Sequence, residues 1–511
     1  MSRGSTDHDA IVIGAGHNGL VTASYLARAG LRTLVVEARP IVGGVAASEP
    51  FAGGTVNVCN CDHLTFRTTP VIEDLGLVEH GLRYIDMEPA STAVAWSGGA
   101  PWRQWHDVGR TVDELSATHP GEVAGYRRFL DAARPAAELI LAAATDPPTA
   151  AGLTRLAARR RLAGVPTVMR WSRRSAADVM RSYFRHDALI GPGLVSGPMV
   201  WGITPEQPGT GLGALSYAMR HVGRLGRPIG GSGALTEALA AAFAAHGGEL
   251  RTGCAVETVL CDGARVVGVS LADGTTITAP VVVSACDPRR TFVTWLRHAP
   301  AGAAAMVARW EATRPAEGYE SKVDAIVDRE PRLRDSDLRL SSTLSIAPSV
   351  EEMDTAAGLL PSGGVLERPA LLVNVPSIAD PTMAPSGQHV LSLEVLLTPY
   401  RRPGGWPGSP EPQRWLDLLA GWCEPGLLES IVDWRAMTPD VYERDFHLPH
   451  GHATSFGGGP LAALRSSQPE LTRYETAVPG LYLTGAATFP GAGIWGASGR
   501  NCATVVLDDT G

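Results

Sequence analysis

AIVIGAGHNGLVTASYLARAGLRTLVVE, from Ala10 to Glu37, reads as a complete βαβ opening. Ala10 to Ile13 is a short apolar strand, and Gly14, Gly16 and Gly19 follow it in GxGxxG spacing. A helix from about Leu20 to Ala29 comes next, then a second strand, Thr33 to Val36, that ends in Glu37. Each part suits the grip on a dinucleotide. The glycines permit a tight turn and close approach of backbone to a pyrophosphate, and the helix start offers unpaired N–H groups to the anion. The acidic residue at the end of the second strand can accept from a ribose hydroxyl. A lone GxGxxG is a weak signal, but here the strand before it, the helix behind it and the carboxylate beyond it occur together.

Moving outward, Ala38, Arg39 and the Gly43–Gly44 pair follow the acidic residue closely, so the chain must turn sharply beside the dinucleotide instead of starting a helix. A nicotinamide dehydrogenase has no particular use for that second glycine turn, so FAD is favoured over NAD. The far end of the chain agrees. Gly480 to Gly485 is a strand running into glycine, and PGAGIWGASGRN, Pro490 to Asn501, leads into a final helix. A helix start placed at the pyrimidine edge of an isoalloxazine ring would stabilise the negative charge of reduced flavin. Between these ends, Gly230, Gly231 and Gly233 precede an Ala-rich helix to about His246. Arg251 to Val259 and hairpin signals at Asp262–Gly263 and Asp273–Gly274 follow, then an apolar strand, Val281 to Ser284, stopped by Asp287–Pro288. This reads as a return to the nucleotide domain, which is therefore discontinuous.

GAGHNGL (Gly14 to Leu20), VVEARPIVGG (Val35 to Gly44), GGSGAL (Gly230 to Leu235) and GLYLTGAATFPGAGIWGASGRN (Gly480 to Asn501) resemble the phytoene-desaturase-like FAD oxidoreductases. The resemblance runs in order through almost the whole chain and is most specific at its two ends. It implies an α/β fold: a discontinuous Rossmann-like, glutathione-reductase-type FAD domain (1–80, 225–300 and 470–511) beside an amine-oxidase-like α+β substrate domain (81–224 and 301–469). It also implies that Gly14, Gly16, His17, Asn18 and Gly19 form the pyrophosphate turn and that Glu37, Ala38 and Arg39 lie at the adenosine ribose. Gly43, Gly44 and Val45 would form the second turn, Val256 would meet the adenine, and Gly485, Ala486, Gly493, Ile494 and Trp495 would border the flavin. The Gly-Asp pair that meets the ribityl chain in the wider superfamily is Gly485–Ala486 here, which weakens a monooxygenase assignment and agrees with the desaturase-like branch.

With 511 residues, the chain has the length for about three domain-sized units or two large lobes with insertions. An apolar content of 44%, 19% charged residues and near-zero mean hydropathy describe a globular protein. The net charge of -8 provides no broad footprint for nucleic acid. The 7 cysteines, Cys59, Cys61, Cys254, Cys261, Cys286, Cys423 and Cys502, have neither disulfide-framework nor zinc-ribbon spacing, so they are read as reduced, mostly buried thiols with no metal. The absence of CxxC removes support for the disulfide-reductase branch. The polar start, Met1 to Asp9, lacks the long apolar stretch of a signal peptide, and no run is long enough to span a bilayer, so a cytoplasmic protein is expected. A basic segment at about 150–185 carries Arg155, Arg159 to Arg161, Arg170, Arg173, Arg174 and Arg181. A solvated helical face is the favoured reading; a lid over an apolar substrate or contact with a membrane surface are the alternatives, and membrane contact is not expected.

FAD accepts a hydride at N5 when a donor carbon is held over the ring. The expected function is therefore dehydrogenation (desaturation) of a small or medium, fairly apolar molecule, with dioxygen, a quinone or another compound as electron acceptor. Oxidation of a C–N bond is the alternative. A flavin-free partner-binding protein resembling Rab GDP-dissociation inhibitors is a third reading, disfavoured because both cofactor ends are retained, and an NAD-dependent dehydrogenase is disfavoured by the C-terminal motif. For catalysis the candidates are His63, as a base; Lys322, the single lysine among 44 basic residues, which resembles the lysine that amine-oxidase-like flavoenzymes place near N5; and Trp495, packed on flavin or substrate. His447, His450 and His452 read as a His-rich loop rather than metal ligands. Dimerisation is no more than a base-rate expectation.

Overall fold

Ala10–Ile13 is wholly buried because it forms the middle of a five-stranded parallel sheet. It pairs with Thr33–Val36 on one side and Val281–Ser284 on the other. Glu249–Arg251 continues the sheet beyond Thr33–Val36, and Leu481–Leu483 continues it beyond Val281–Ser284. Strands far apart in sequence thus share one sheet, in a computed structural model that describes residues 6–59, 61–317, 319–457 and 459–511. Met1 to Ser5 of the polar start lie outside the described residues.

Strands covered on both faces need apolar side chains throughout, and this is why these runs do not alternate with polar residues. Ala10, Val12, Val35 and Val283 face the helices His17–Arg28, Gly233–Ala245 and Ala497–Thr510. Ile11, Ile13, Leu34 and Val282 face a three-stranded antiparallel layer, Val256–Asp262, Arg265–Leu271 and Thr276–Thr278, whose two hairpins turn at Asp262–Gly263 and Asp273–Gly274. Helix Ala304–Ala312, expected with the substrate lobe, packs Met306 and Trp310 into this layer instead. The first helix begins at His17, earlier than the apolar pattern suggests, because Gly16 already acts as its N-cap.

The second lobe is built on a seven-stranded mixed sheet, in the order Ile431–Met437, Tyr319–Val327, His389–Thr398, Leu371–Asn374, Leu344–Ala347, Ser91–Ala95 and Trp102–Gln104. Its back face, including Val323, Ala325, Leu393 and Val373, packs against Trp415, Leu416 and Leu419 of helix Glu411–Ala420. Its front face is divided. One half, with Ala93, Ala347, Leu372 and Leu396, joins an aromatic-rich helical core that includes Tyr126, Phe129, Trp171 and Tyr217. The other half carries the buried polar residues Glu320, Lys322, Asp324 and Glu394.

The basic segment folds as helices Ala150–Arg159, Val165–Trp171 and Ala176–Arg181, the first of which buries no residue completely. Arg160 pairs with Glu138, and Arg181 with Glu206 and Glu351. Among the described residues no helix is long and apolar enough to cross a membrane. Of the cysteines, Cys61, Cys423 and Cys502 are buried and the others half-buried, so fewer are buried than expected, and none forms a disulfide.

Two buried histidines give the fold a pH signature. His63 and His221 are 0% and 5% exposed, and burial holds their pKa values down to about 3 and about 4. In the unfolded chain each titrates at about 6.5, so below that pH the unfolded chain binds more protons than the folded one. Their contribution is complete above the unfolded pKa and is lost as pH falls towards the folded values. The urea midpoint should drop between about pH 6.5 and pH 4, and less steeply for His63→Asn than for the wild type. Equal pH slopes for the two proteins would contradict this.

Candidate active site

The carboxyl ends of the parallel strands open onto one elongated cleft, as the fold class requires. Its lining includes Gly14, Gly16, His17, Asn18, Gly19, Glu37, Ala38, Arg39, Gly43, Gly44, Val45, Val256, Gly485 and Ala486, so fourteen positions named from the sequence come together here. The cleft holds about 1310 Å³ of space counting its open mouth.

Local packing explains the glycines. A Cβ on Gly19 would lie 2.1 Å from the Gly14 carbonyl oxygen, so only glycine allows the helix to start this close to the strand. Gly16 is different: a Cβ there meets nothing within 4 Å, because the space beside it belongs to the cleft. Glu37, 8% exposed, accepts from the Ala15 N–H at 2.7 Å with one oxygen and from the Arg39 N–H at 2.8 Å with the other. Each oxygen has lone-pair capacity left for a hydroxyl. Neither His17–Arg28 nor Ala497–Thr510 has a side-chain bond from its N-cap residue, so the start of His17–Arg28 keeps N–H groups for an anion, while the Gly499 N–H in the first turn of Ala497–Thr510 is taken by Asn18. The donor set and the open backbone cradle therefore fit a dinucleotide.

The two ends of the chain are joined at this cleft. The Gly499 N–H donates to Asn18 Oδ1 at 3.2 Å, and Thr22 Oγ1 donates to the Gly499 carbonyl at 2.9 Å. Gly493, Ile494 and Trp495 do not line the cleft itself. Ile494 is held through its carbonyl by Thr65 Oγ1 at 2.7 Å, and Trp495 packs with Leu141, Ala144 and Met219.

The opposite wall was not expected. Phe446, His447, Leu448, Pro449, Ala453 and Thr454 form a strap across the cleft. Thr454 Oγ1 donates to Asp287 Oδ2 at 2.5 Å, the Phe456 N–H donates to the Ala486 carbonyl at 2.9 Å, and the Arg39 guanidinium lies 4.1 Å from the centre of the Phe446 ring. The clustered histidines belong to this strap: His450 stacks on Tyr400 and His452 meets Tyr319 edge-on. Cys254, Ala255, Cys286, Asp287, Pro288, Arg290 and Trp295 also line the cleft and were missed. A signal for several of them was present, since Cys286 to Pro288 follow directly on a strand neighbouring the first one.

The proposed catalytic pair lies elsewhere. His63 is fully buried, with Nδ1 2.9 Å from the Tyr84 hydroxyl and Nε2 3.0 Å from Ser232 Oγ, so both ring nitrogens are occupied and neither faces the cleft. Lys322 is also fully buried and donates to the Asn57 carbonyl and to Asp324. From there a chain of ion pairs returns to the cleft: Asp324 with Arg435 at 3.2 Å, Arg435 with Glu49 at 2.9 Å, and Glu49 with Arg39 at 2.5 Å. The lone lysine thus anchors the substrate sheet to the wall of the nucleotide cleft.

The family described as an NAD(P)-binding Rossmann-like domain matches residues 12–75, and that described as flavin containing amine oxidoreductase matches residues 168–342. The lycopene-forming phytoene desaturase of a Paracoccus species is 26% identical, over 98% of this chain and 97% of its own. The chain is an FAD-dependent oxidoreductase similar to the phytoene desaturases. Pyridine nucleotide-disulfide oxidoreductase domain-containing protein 2 of Rattus norvegicus is 29% identical to this flavoprotein, over 98% of this chain and 94% of its own. Putrescine oxidase, solved with putrescine bound, shares the fold of this chain, with a TM-score of 0.64 at 15% identity over 98% of this chain and 99% of that one.

The strap should govern how firmly this flavoenzyme keeps FAD. Thr454→Val removes one latch and leaves Asp287 with its remaining backbone donors, Arg289 and Arg290. FAD release, followed by flavin fluorescence after dilution, should quicken by about threefold to tenfold. An unchanged rate would show that the strap does not hold the cofactor.

Proposed function

We propose that this flavoenzyme dehydrogenates a small or medium, fairly apolar molecule and passes the electrons to dioxygen, a quinone or another acceptor. The observation that carries the proposal is the apolar backing of the flavin-end turn: Trp495 and Ala497 pack with Leu141, Ala144, Met219 and Val222, which favours a dry pocket there. Bound FAD supplies a hydride acceptor. The residues around it position the reactants and exclude water. In this reading the backbone of Gly14 to Gly19 holds the pyrophosphate, Glu37 the adenosine ribose, Val256 the adenine, and Gly485 and Ala486 the ribityl end, while Gly493 to Trp495 border the ring. Residues 1–80, 225–300 and 470–511 act as the FAD-binding unit, and 81–224 and 301–469 as the substrate unit.

His63 and Lys322 take positioning roles. His63 ties the Cys61–Thr65 stretch to Tyr84 and Ser232, and Lys322 ties the sheet to Asn57. Oxidation of a C–N bond is a second reading, supported by Glu320 and Glu394, two buried carboxyls with no cation within ion-pair distance among the described residues.

Anaerobic addition of polyenes, alicyclic hydrocarbons, alcohols and amines to the holoenzyme tests both readings. Bleaching of the visible flavin absorbance by apolar C–H donors is the expected result, and bleaching by amines alone would favour the second reading. Bleaching by reduced pyridine nucleotide alone would reverse the direction of electron flow and remove both.

A further inference from the structure

Glu394 lies in the middle of the sheet's front face, in a row set by strand register. It is opposite Lys322 on one neighbouring strand and Leu372 on the other, with Met437 beyond Lys322 and Ser345 beyond Leu372. Glu320 sits diagonally from it, paired in register with Leu396. The other polar groups nearby have partners. Lys322 and Arg435 share Asp324, and Arg227 holds Asp62 at 2.7 Å. Glu320 accepts from the Cys59 thiol at 2.9 Å. Glu394 is only 5% exposed, yet its carboxyl oxygens are not sealed off and accept no hydrogen bond from the described residues.

A carboxyl withdrawn this far from solvent, with no protein partner and its oxygens still open to a small space, is placed to pair with a ligand that supplies one. We propose that Glu394 recognises the polar end of the substrate, donating a hydrogen bond as a neutral carboxyl to a nitrogen or oxygen of the bound molecule. The proposal rests on the reading above that residues 81–224 and 301–469 act as the substrate unit, and takes the substrate to lie between this sheet face and the flavin-end turn. That geometry favours the neutral form, since a dry site and a second carboxyl close by both oppose ionisation. Burial first, then Glu320, push the Glu394 pKa up to about 8, against the pull of Lys322. The other titratable groups facing it give no compensating charge. Burial raises the Cys61 thiol to about 12 and lifts the phenols of Tyr319 and Tyr442 well above their ordinary value.

Infrared spectra of the holoenzyme should show a protonated-carboxyl band that disappears as pH rises through about 8, and Glu394→Gln should lack it while keeping its FAD. Flavin absorbance shifts on titration with cyclooctanone, cyclooctylamine and cyclooctane then test recognition. Glu394→Leu should bind cyclooctanone about tenfold to a hundredfold more weakly and cyclooctane no less tightly. Glu394→Gln, which keeps a donor, should retain most of the affinity for the ketone. A band that survives in Glu394→Gln, or equal binding of cyclooctanone by Glu394→Leu and wild type, overturns the role of Glu394. If the band behaves as expected but no ring compound perturbs the wild-type flavin, the placement of the substrate falls, and this proposal falls with it.

Discussion

The contact between the first and last helices carries the rest of the structure. Gly499 lets Ala497–Thr510 approach so closely that a Cβ there would lie 2.3 Å from the Asn18 carbonyl oxygen. That approach brings a segment from the end of the chain beside the turn at its beginning, and the cleft exists because both are held there. Neither segment could form the cleft alone: the Gly14–Gly19 turn supplies one end of its wall, and Gly485–Ala487 the other.

One stretch of chain, Asn57 to Thr65, ties the seven-stranded lobe to this nucleus at several points. Asn57 receives Lys322, Val58 accepts from the Tyr442 hydroxyl at 2.9 Å, and Asp62 holds Arg227. His63 reaches Ser232, and Thr65 reaches Ile494. Such a buried polar ladder is no strong source of net stability, since desolvation offsets most of the attraction between charges. Its effect is geometric. It sets the charged half of the sheet at a defined place relative to the flavin-end turn, and the ion pairs from Lys322 to Arg39 add a second link to the nucleotide wall.

What could be read from the sequence was whatever constrains residue type directly. A backbone that must approach a ligand or another helix demands glycine, and parallel strands covered on both faces demand unbroken apolar runs, so Gly14 to Gly19, Gly43–Gly44, Val281 to Ser284 and the final glycine segment were all legible. The strap was not, because Phe446, Leu448, Pro449 and Ala453 line the cleft by shape alone and no chemistry singles them out. His63 misled because a histidine's sequence context does not reveal whether its nitrogens are already occupied. Lys322 stood out by composition, yet its partner Asp324 reads locally as ordinary strand alternation. Trp495 packs with Leu141 and Ala144, a tertiary contact without a local signature.

The account depends most on the convergence of the two chain ends on one FAD. Gly499 does not line the cleft and bonds to Asn18, which does, so Gly499→Ala is a probe of that convergence. FAD affinity, measured by titrating apoprotein and following flavin fluorescence, should fall by about tenfold or more, as overpacking of a close helix contact implies, while far-ultraviolet circular dichroism is unchanged. Wild-type affinity in Gly499→Ala would contradict the claim that this helix contact builds the cofactor site.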